Sequence, residues 1–153
     1  MDQSDKALLL QVFGSVFEDF AFMFVEDDPD ETPAPGESCV QTCIGFESDV
    51  GKGFMEVIAP AEFCNELAEN ILGAEEEEEL PADAGENALK EFLNVSCGYF
   101  LAEKFGTEAV FDLTLPETRT LPEQQWSALF EAGGHVFFLV DESPMLARFV
   151  LEA

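Results

Sequence analysis

Positive charge is scarce in this sequence. Its 153 residues include only 6 Lys and Arg against 33 Asp and Glu, which gives a formal net charge of −27 at pH 7. A surface this negative repels phosphate backbones and anionic lipid headgroups, so we expect neither nucleic acid nor a membrane surface as a partner. The charge favours solubility, association with a basic surface or life in high salt, and a solvated acidic coat without a partner is an equally simple interpretation.

Histidine and cysteine, the residues that usually hold zinc, are scarce as well. The chain has one histidine, His135, and four cysteines, with no CxxC pair, so the spacing assembles no zinc site. Cys39 and Cys43 lie on the same face of a predicted strand, about 13 Å apart by strand rise, which is too far for a disulfide between them. These features predict reduced thiols and no structural metal, as in a cytoplasmic protein.

Long uninterrupted hydrophobic runs are also missing. Polar residues such as Gln11, Glu18 and Asp19 interrupt the first apolar segment, and the N-terminus has no basic cluster. We therefore expect neither a signal peptide nor a membrane span, and we expect a cytoplasmic location. What the chain has in quantity is apolar residues, 47% of the total with 16 Phe, which suffices for one Phe-rich core in a single domain over residues 1–153.

Hydrophobic periodicity predicts a mixture of helices and strands. The helical period covers about residues 4–25, 60–73 and 83–105. The alternation typical of strands covers about residues 38–48, 54–59, 109–115, 135–140 and 145–152. Residues 124–130 fit either a strand or a short helix. This order predicts an α+β fold in which helices pack on an antiparallel sheet.

Local signals predict where several of these elements begin and end. Three prolines and a charge run make residues 26–36 a predicted loop. Five consecutive glutamates, Glu75–Glu79, repel one another and predict a solvated linker or a frayed helix end. Asp83 followed by Glu86 resembles a capping box at the start of the longest helix, and Gly106 is expected to close that helix.

One face of the helix predicted over residues 83–105 carries polar residues and a glycine. At 3.6 residues per turn, four residues fall within a stripe of roughly 60°: Asn87, Glu91, Asn94 and Gly98. The opposite face, which we expect to be buried, includes Leu89, Leu93 and Phe100. A glycine inside a helix costs about 1 kcal/mol relative to alanine, and a bare patch beside an acid and an amide would let another protein's backbone come close. The stripe is therefore a candidate contact surface.

Glu91 and Asn94 form a Glu-x-x-Asn pattern, which alone also fits an ordinary polar helix face. The same pattern occurs at Glu62 and Asn65, in the helix predicted before it. Three features distinguish the later copy: it lies midway along the longest helix, its face carries Gly98, and a strand and then a proline follow it.

On these residues the sequence resembles the chemotaxis phosphatases CheX, CheC and FliY, and most the single-site CheX type. The signature of that family is an acid or serine, three residues, Glu, two residues, Asn and then about 22 residues to a proline. Glu91, Asn94 and Pro116 follow this pattern, with 21 residues between the last two. Gly98 matches the glycine that follows the asparagine in many members, while Asn87 stands at the position of the acid or serine.

The similarity extends over roughly residues 5–152, including a hairpin at residues 43–53. It implies a CheC-like fold and a protein phosphatase that hydrolyses the aspartyl phosphate of a phosphorylated CheY-type response regulator. By the resemblance, Glu91 and Asn94 would be catalytic, and Asn87 and Gly98 would contact the partner. The protein would need no cofactor of its own, because the regulator supplies Mg²⁺. The resemblance also implies a homodimer joined at sheet edges, for which the closing hairpin is a candidate.

The side-chain chemistry is compatible with that activity. A carboxamide only donates and accepts hydrogen bonds, so Asn94 would orient a water without deprotonating it. Orientation suffices where the substrate is already reactive and its charge is neutralised by other groups. An aspartyl phosphate meets this condition, since it has a carboxylate leaving group and the regulator provides a metal and a lysine. Glu91 would pair with that lysine and set the register of the complex.

Two other functions stay open at this point. The first is a non-catalytic module that keeps the CheX fold and binds a receiver domain or another basic partner. The second is an acidic decoy that binds a basic protein through charge alone. A decoy predicts steep salt sensitivity and indifference to Asn94.

Overall fold

The computed structural model describes residues 1–73 and 80–152. Within these ranges the strands form an antiparallel sheet and the helices pack on it, so the predicted α+β class is confirmed. In chain order they are α1 Gln3–Ala21, β1 Val25–Asp27, β2 Cys39–Ser48, β3 Gly51–Pro60, α2 Ala61–Leu72, α3 Ala84–Phe105, β4 Asp112–Leu113, β5 Glu117–Leu121, α4 Glu123–Ala132, β6 Val136–Val140 and β7 Ser143–Glu152.

The strands form one sheet in the order β1-β6-β7-β3-β2-β4, with β5 following β4 along the same side of β2. Its centre is the β2–β3 hairpin, in continuous register from Cys39 opposite Pro60 to Ser48 opposite Gly51. The closing hairpin β6–β7 lies inside the sheet, because β1 pairs with β6 and β3 pairs with β7. The expectation that this hairpin is a sheet edge is therefore wrong.

Helices α1, α2 and α3 cover one face of the sheet. Alternate residues of β2 point to that face, and Val40, Ile44 and Phe46 are buried against the helices. The rings of Phe17 on α1 and Phe92 on α3 stack with centroids 3.9 Å apart. Aromatic contacts of this kind stabilise a core beyond the area they bury, so they hold α1 firmly against α3.

Two polar contacts show how these helices run relative to one another. Lys104 Nζ lies 2.6 Å from Asp5 Oδ1, which joins the end of α3 to the start of α1, so these two helices run antiparallel. Asn70 Nδ2 on α2 donates to the carbonyl oxygen of Ala21 at 2.9 Å. The C-terminal end of α1 therefore lies beside α2 and the middle of α3.

Helix α4 packs on the opposite face of the sheet. Trp126 of α4 is buried there with a second set of strand residues, Cys39, Ile58, Leu121 and Leu146. The segment that fitted either a strand or a short helix is thus a helix. Its apolar residues at Trp126, Leu129 and Phe130 follow helical spacing, and Pro122 precedes its first turn.

Helix α1 is shorter than predicted. It ends at Ala21, because Phe22 adopts the left-handed conformation with φ 55° and its N–H donates to the carbonyl of Glu18. The next residues leave the helix and form β1 beside β6, so the prediction of a helix to residue 25 is wrong. The loop predicted over residues 26–36 is confirmed for residues 28–36 and wrong for the last two residues of β1. Three residues are too few for strand alternation to be recognised in sequence.

Two further local predictions fail. Asp83 precedes α3, but its side chain makes no capping hydrogen bond. The predicted strand at residues 109–115 is reduced to Asp112–Leu113, and Thr114 instead bonds Gly45 through both its N–H and its hydroxyl. Gly106 does close α3, with φ 85°. The prediction for Glu75–Glu79 falls on residues outside the described ranges.

Candidate functional site on helix α3

The polar stripe predicted from the helical period is on the surface. Its four residues, Asn87, Glu91, Asn94 and Gly98, are all exposed along the middle of α3. Leu89, Leu93 and Phe100 on the opposite side are buried in the core. The predicted faces are confirmed, and the roles of the four exposed residues stay predictions.

The side chains of Glu91 and Asn94 have no bonding partner among the described residues. In residues 1–73 and 80–152, neither side chain forms a hydrogen bond or an ion pair. They lie three residues apart on the same helix face, so a carboxylate and a carboxamide project together into solvent. Another molecule could therefore donate hydrogen bonds to the Glu91 carboxylate, and could both donate to and accept from the Asn94 carboxamide.

Gly98 has no packing reason to be a glycine. A Cβ built there would meet nothing within 4 Å. Gly85, on the buried side of the same helix, is the opposite case: a Cβ there would lie 2.7 Å from Asn65 Oδ1 and 3.1 Å from the backbone carbon of Cys64. Gly85 thus lets α3 approach α2, while Gly98 leaves a flat place on the surface beside Asn94.

Two apolar grooves meet at Glu91. A groove of about 320 Å³ runs between α2 and α3, and one of about 240 Å³ lies where α1, α2 and α3 converge. Glu91 and Ile71 line both grooves and form the ridge between them. The exposed carboxylate therefore lies at the centre of a largely apolar depression.

The earlier Glu-x-x-Asn copy lies in a different environment. Glu62 and Asn65 are exposed on α2, but the Glu62 N–H is bonded to Glu37 Oε1 at 2.9 Å. Asn65 Oδ1 lies against Gly85 at the contact between α2 and α3. This copy sits where helices pack and has no open glycine beside it.

A buried polar cluster that the sequence did not predict lies on the other side of the sheet. Glu56 on β3 accepts hydrogen bonds from Arg148 Nε at 2.6 Å, His135 Nε2 at 3.1 Å and Gln41 Nε2. Burial on its own would raise the pKa of this carboxyl, but the bonds from His135 and Arg148 outweigh burial and lower its pKa from 4.5 to about 2. Both carboxylate oxygens of Glu56 accept hydrogen bonds, so the cluster ties neighbouring strands of the sheet together.

One sequence signal could have identified Glu56. It is the single acid in the apolar run of β3, and the alternation places it away from Met55 and Val57. Its partners Arg148 and His135 lie far along the chain. The pairing of β3 with β7 brings Arg148 opposite Glu56, and the pairing of β6 with β7 brings His135 beside them.

The thiols offer no reactive group. Cys39, Cys43, Cys64 and Cys97 are all free. Burial raises the pKa of Cys39, Cys64 and Cys97 to about 12, so these three stay protonated at neutral pH. Among the described residues, no group of three or more His, Cys, Asp or Glu side chains could hold a metal ion. No described helix is both long and apolar enough to span a membrane.

A family model described as chemotaxis phosphatase CheX matches residues 40–137 of the chain. That range includes all four residues of the stripe on α3. No curated protein sequence matches the chain.

Solved structures with the same fold include the following three. CheX from Desulfovibrio desulfuricans is 13% identical, with a TM-score of 0.69 over 97% of this chain and 99% of that one. CheX from Vibrio vulnificus is 16% identical, with a TM-score of 0.68 over 97% and 96%. A chain of the CheX–CheY–BeF3–Mg²⁺ complex from Borrelia burgdorferi is 15% identical, with a TM-score of 0.58 over 97% of each chain. At these identities the likeness shows the CheC-like fold.

Proposed function

The chain belongs to the CheX family of chemotaxis phosphatases, and on that premise we propose that it hydrolyses the aspartyl phosphate of a CheY-type response regulator. The reaction would be catalysed by positioning an attacking water. The observation that carries the proposal is the exposed pair Glu91 and Asn94, which has no partner in the described structure and lies beside the open surface at Gly98.

Asn94 is the water-positioning residue in this mechanism. Its amide accepts a hydrogen bond from the water and donates another to the phosphoryl group or its surroundings, which holds the water in line with phosphorus. An amide is too weak a base to take the proton in a rate-limiting step. The reaction does not need a general base from this protein, because the leaving group is a carboxylate and groups of the regulator neutralise the phosphoryl charge.

Glu91 is the docking residue. It pairs with the active-site lysine of the regulator and so fixes the position of Asn94 one turn away. Asn87 and Gly98 complete the contact: Asn87 is a neutral hydrogen-bonding group one turn before Glu91, and Gly98 lets the backbone of the regulator lie close to α3.

The regulator brings the metal. The Borrelia burgdorferi structure contains CheX, CheY, BeF3 and Mg²⁺ in one complex, which supports a CheY-type partner and a phosphatase without a cofactor of its own. We also propose that residues 1–153 act as a single CheX-like domain in the cytoplasm and that the protein is a homodimer. Since β6–β7 is interior, the dimer would join at β1 or at the side of β2 that carries β4 and β5.

The test measures the decay of purified phosphorylated receiver domains with wild-type protein and with Asn94→Ala. We expect wild type to accelerate decay and Asn94→Ala to lower kcat by about 100-fold or more, because the lost contact is made in the transition state. Folding should be unaffected, since surface substitutions usually change stability by no more than about 0.5 kcal/mol. Glu91→Ala should raise KM as well as lower kcat, and most clearly at low salt, where charge pairing is least screened.

The matched control is Asn65→Ala, which removes the asparagine of the other Glu-x-x-Asn copy. It should leave kcat and KM unchanged. Wild-type activity in Asn94→Ala would disprove the assigned role of that residue. The binding module is the second candidate, because Asn87 stands where the family signature has an acid or serine. It would replace the phosphatase if the wild type accelerated the decay of no receiver domain.

A further inference from the structure

We propose that the two apolar grooves beside Glu91 hold the receiver domain through apolar side chains that surround its phosphorylation site, with Phe20 and Ile71 as the main anchors. This inference rests on the proposed function and specifies how the partner is held. It separates two tasks: Asn94 acts on the reaction, and residues of α1 and α2 supply affinity.

The groove between α2 and α3 exists because small residues line it. Ala68, Ala84 and Ala88 line it, and within residues 1–73 and 80–152 no large side chain fills the space between the two helices. Leu72, 63% exposed, and Ile71 form its outer wall. An unfilled apolar groove with exposed aliphatic walls is suited to an inserted apolar side chain.

The second groove has an aromatic floor. The stacked rings of Phe17 and Phe92 close it from below, and Phe20 and Val95 form its sides. Phe20 is 46% exposed and Ile71 is 37% exposed, so each is fixed by the core on one side and open to a partner on the other. Rigid, half-buried apolar residues of this kind are typical of binding hot spots, since little side-chain freedom is lost on association.

The position of Glu91 requires the regulator to cover both grooves. Asn94 has a short side chain, so its amide reaches a water at the phosphorus only if the receiver surface lies directly against α3. Glu91 lies one turn earlier and lines both grooves, so a lysine paired with it brings the surrounding receiver surface over them. The apolar contacts that lose water on binding keep the complex together.

Steady-state kinetics with a phosphorylated receiver domain tests this assignment. We expect Phe20→Ala and Ile71→Ala each to raise KM about tenfold while kcat stays within twofold, because the contacts are present equally in the bound complex and in the transition state. Val110→Ala is the matched control: Val110 is 80% exposed and lines neither groove, so KM should not change. Thermal unfolding checks that each variant is folded, and Leu72→Ala, at a more exposed position, is the substitute if one is not.

The outcomes separate this inference from the proposed function. If the wild-type protein accelerates the decay of no receiver domain, both the proposed function and this inference are wrong. If the wild type is active and KM is unchanged in Phe20→Ala and Ile71→Ala, the grooves do not hold the receiver domain. The proposed phosphatase function would then stand without this inference. If those two variants keep KM but shift the mass measured by light scattering, the surface belongs to contacts between copies of this chain and the inference is wrong.

Discussion

Two glutamates on opposite sides of the sheet illustrate how a residue's partners reveal its role. Glu56 is buried and bonded to three side chains, so its charge is used inside the fold. Glu91 is exposed and has no such partner within the described ranges. An acid that is fully engaged stabilises the native state, whereas one held on a rigid helix without a partner is available to another molecule.

Glu56 should make the stability of the protein depend on pH in the acid range. Its pKa in the folded state is lowered to about 2, so its contribution is complete above the ordinary value of 4.5 and is lost as pH falls through 2. We expect Glu56→Gln to lower the free energy of unfolding by about 3 kcal/mol at pH 7. The difference from wild type should shrink steadily between about pH 4.5 and 2.

Urea unfolding followed by circular dichroism at several pH values measures this difference. Glu62→Gln is the control, since Glu62 is exposed and its carboxylate forms no ion pair within residues 1–73 and 80–152. A difference between Glu56→Gln and wild type that stays constant from pH 7 to pH 3 would contradict the assignment.

Helix α3 combines two glycines with opposite surroundings. Gly85 faces α2, where there is no room for a methyl group, and Gly98 faces solvent, where there is. The helix-interior cost of glycine applies to Gly98, whereas Gly85 lies in the first turn of α3. The glycine that the fold does not need is the one beside Asn94.

The two alanine substitutions should therefore separate folding from function. We expect Gly98→Ala to raise the free energy of unfolding by up to about 1 kcal/mol, and to weaken the action on a phosphorylated receiver because the added methyl group holds the partner's backbone away. Gly85→Ala should lower the free energy of unfolding by about 1–2 kcal/mol through overpacking against Cys64, with kcat unchanged in the folded protein. Urea unfolding and the phosphatase assay together measure both effects. Full activity in a stabilised Gly98→Ala would show that no partner approaches closely at this position.

The molecule as a whole carries a net charge of −27 on 153 residues. Repulsion among so many like charges opposes a compact state and is screened by salt. The same charge speeds the approach of any partner with a basic surface, but it does not distinguish one basic partner from another. Charge alone therefore explains an acidic decoy as well as a phosphatase, and the open surface around Glu91 is what favours the latter.

Salt should stabilise the isolated protein. We expect Tm to rise between 20 mM and 300 mM NaCl, since the Debye length falls to less than about 8 Å over this range. A gain of about 1 kcal/mol would correspond to roughly 3 °C in a chain of this size. Thermal unfolding in NaCl and in KCl measures the effect, and equal rises that level off indicate screening. A Tm that is independent of salt would mean that the acidic coat is spaced widely enough to cost little.

The sequence by itself determined the features that repeat over short distances. The period of residues 84–105 assigned Glu91 and Asn94 to one face and Leu93 to the other, because a helix places residues three and four apart side by side. The alternation in β2 and β3 predicted their hairpin for the same reason. These patterns also carried the resemblance to the CheX family, which the match over residues 40–137 bears out.

Only the tertiary structure decided what depends on residues far apart in the chain. Two of the three partners of Glu56, His135 and Arg148, lie 79 and 92 residues away, and β1 exists as a strand only because β6 is there to pair with it. The two grooves beside Glu91 likewise depend on the packing of helices. One lies between α2 and α3, and the other lies where α1, α2 and α3 converge. Local periodicity reports which side of an element is buried, but the packing of elements determines what lies next to it.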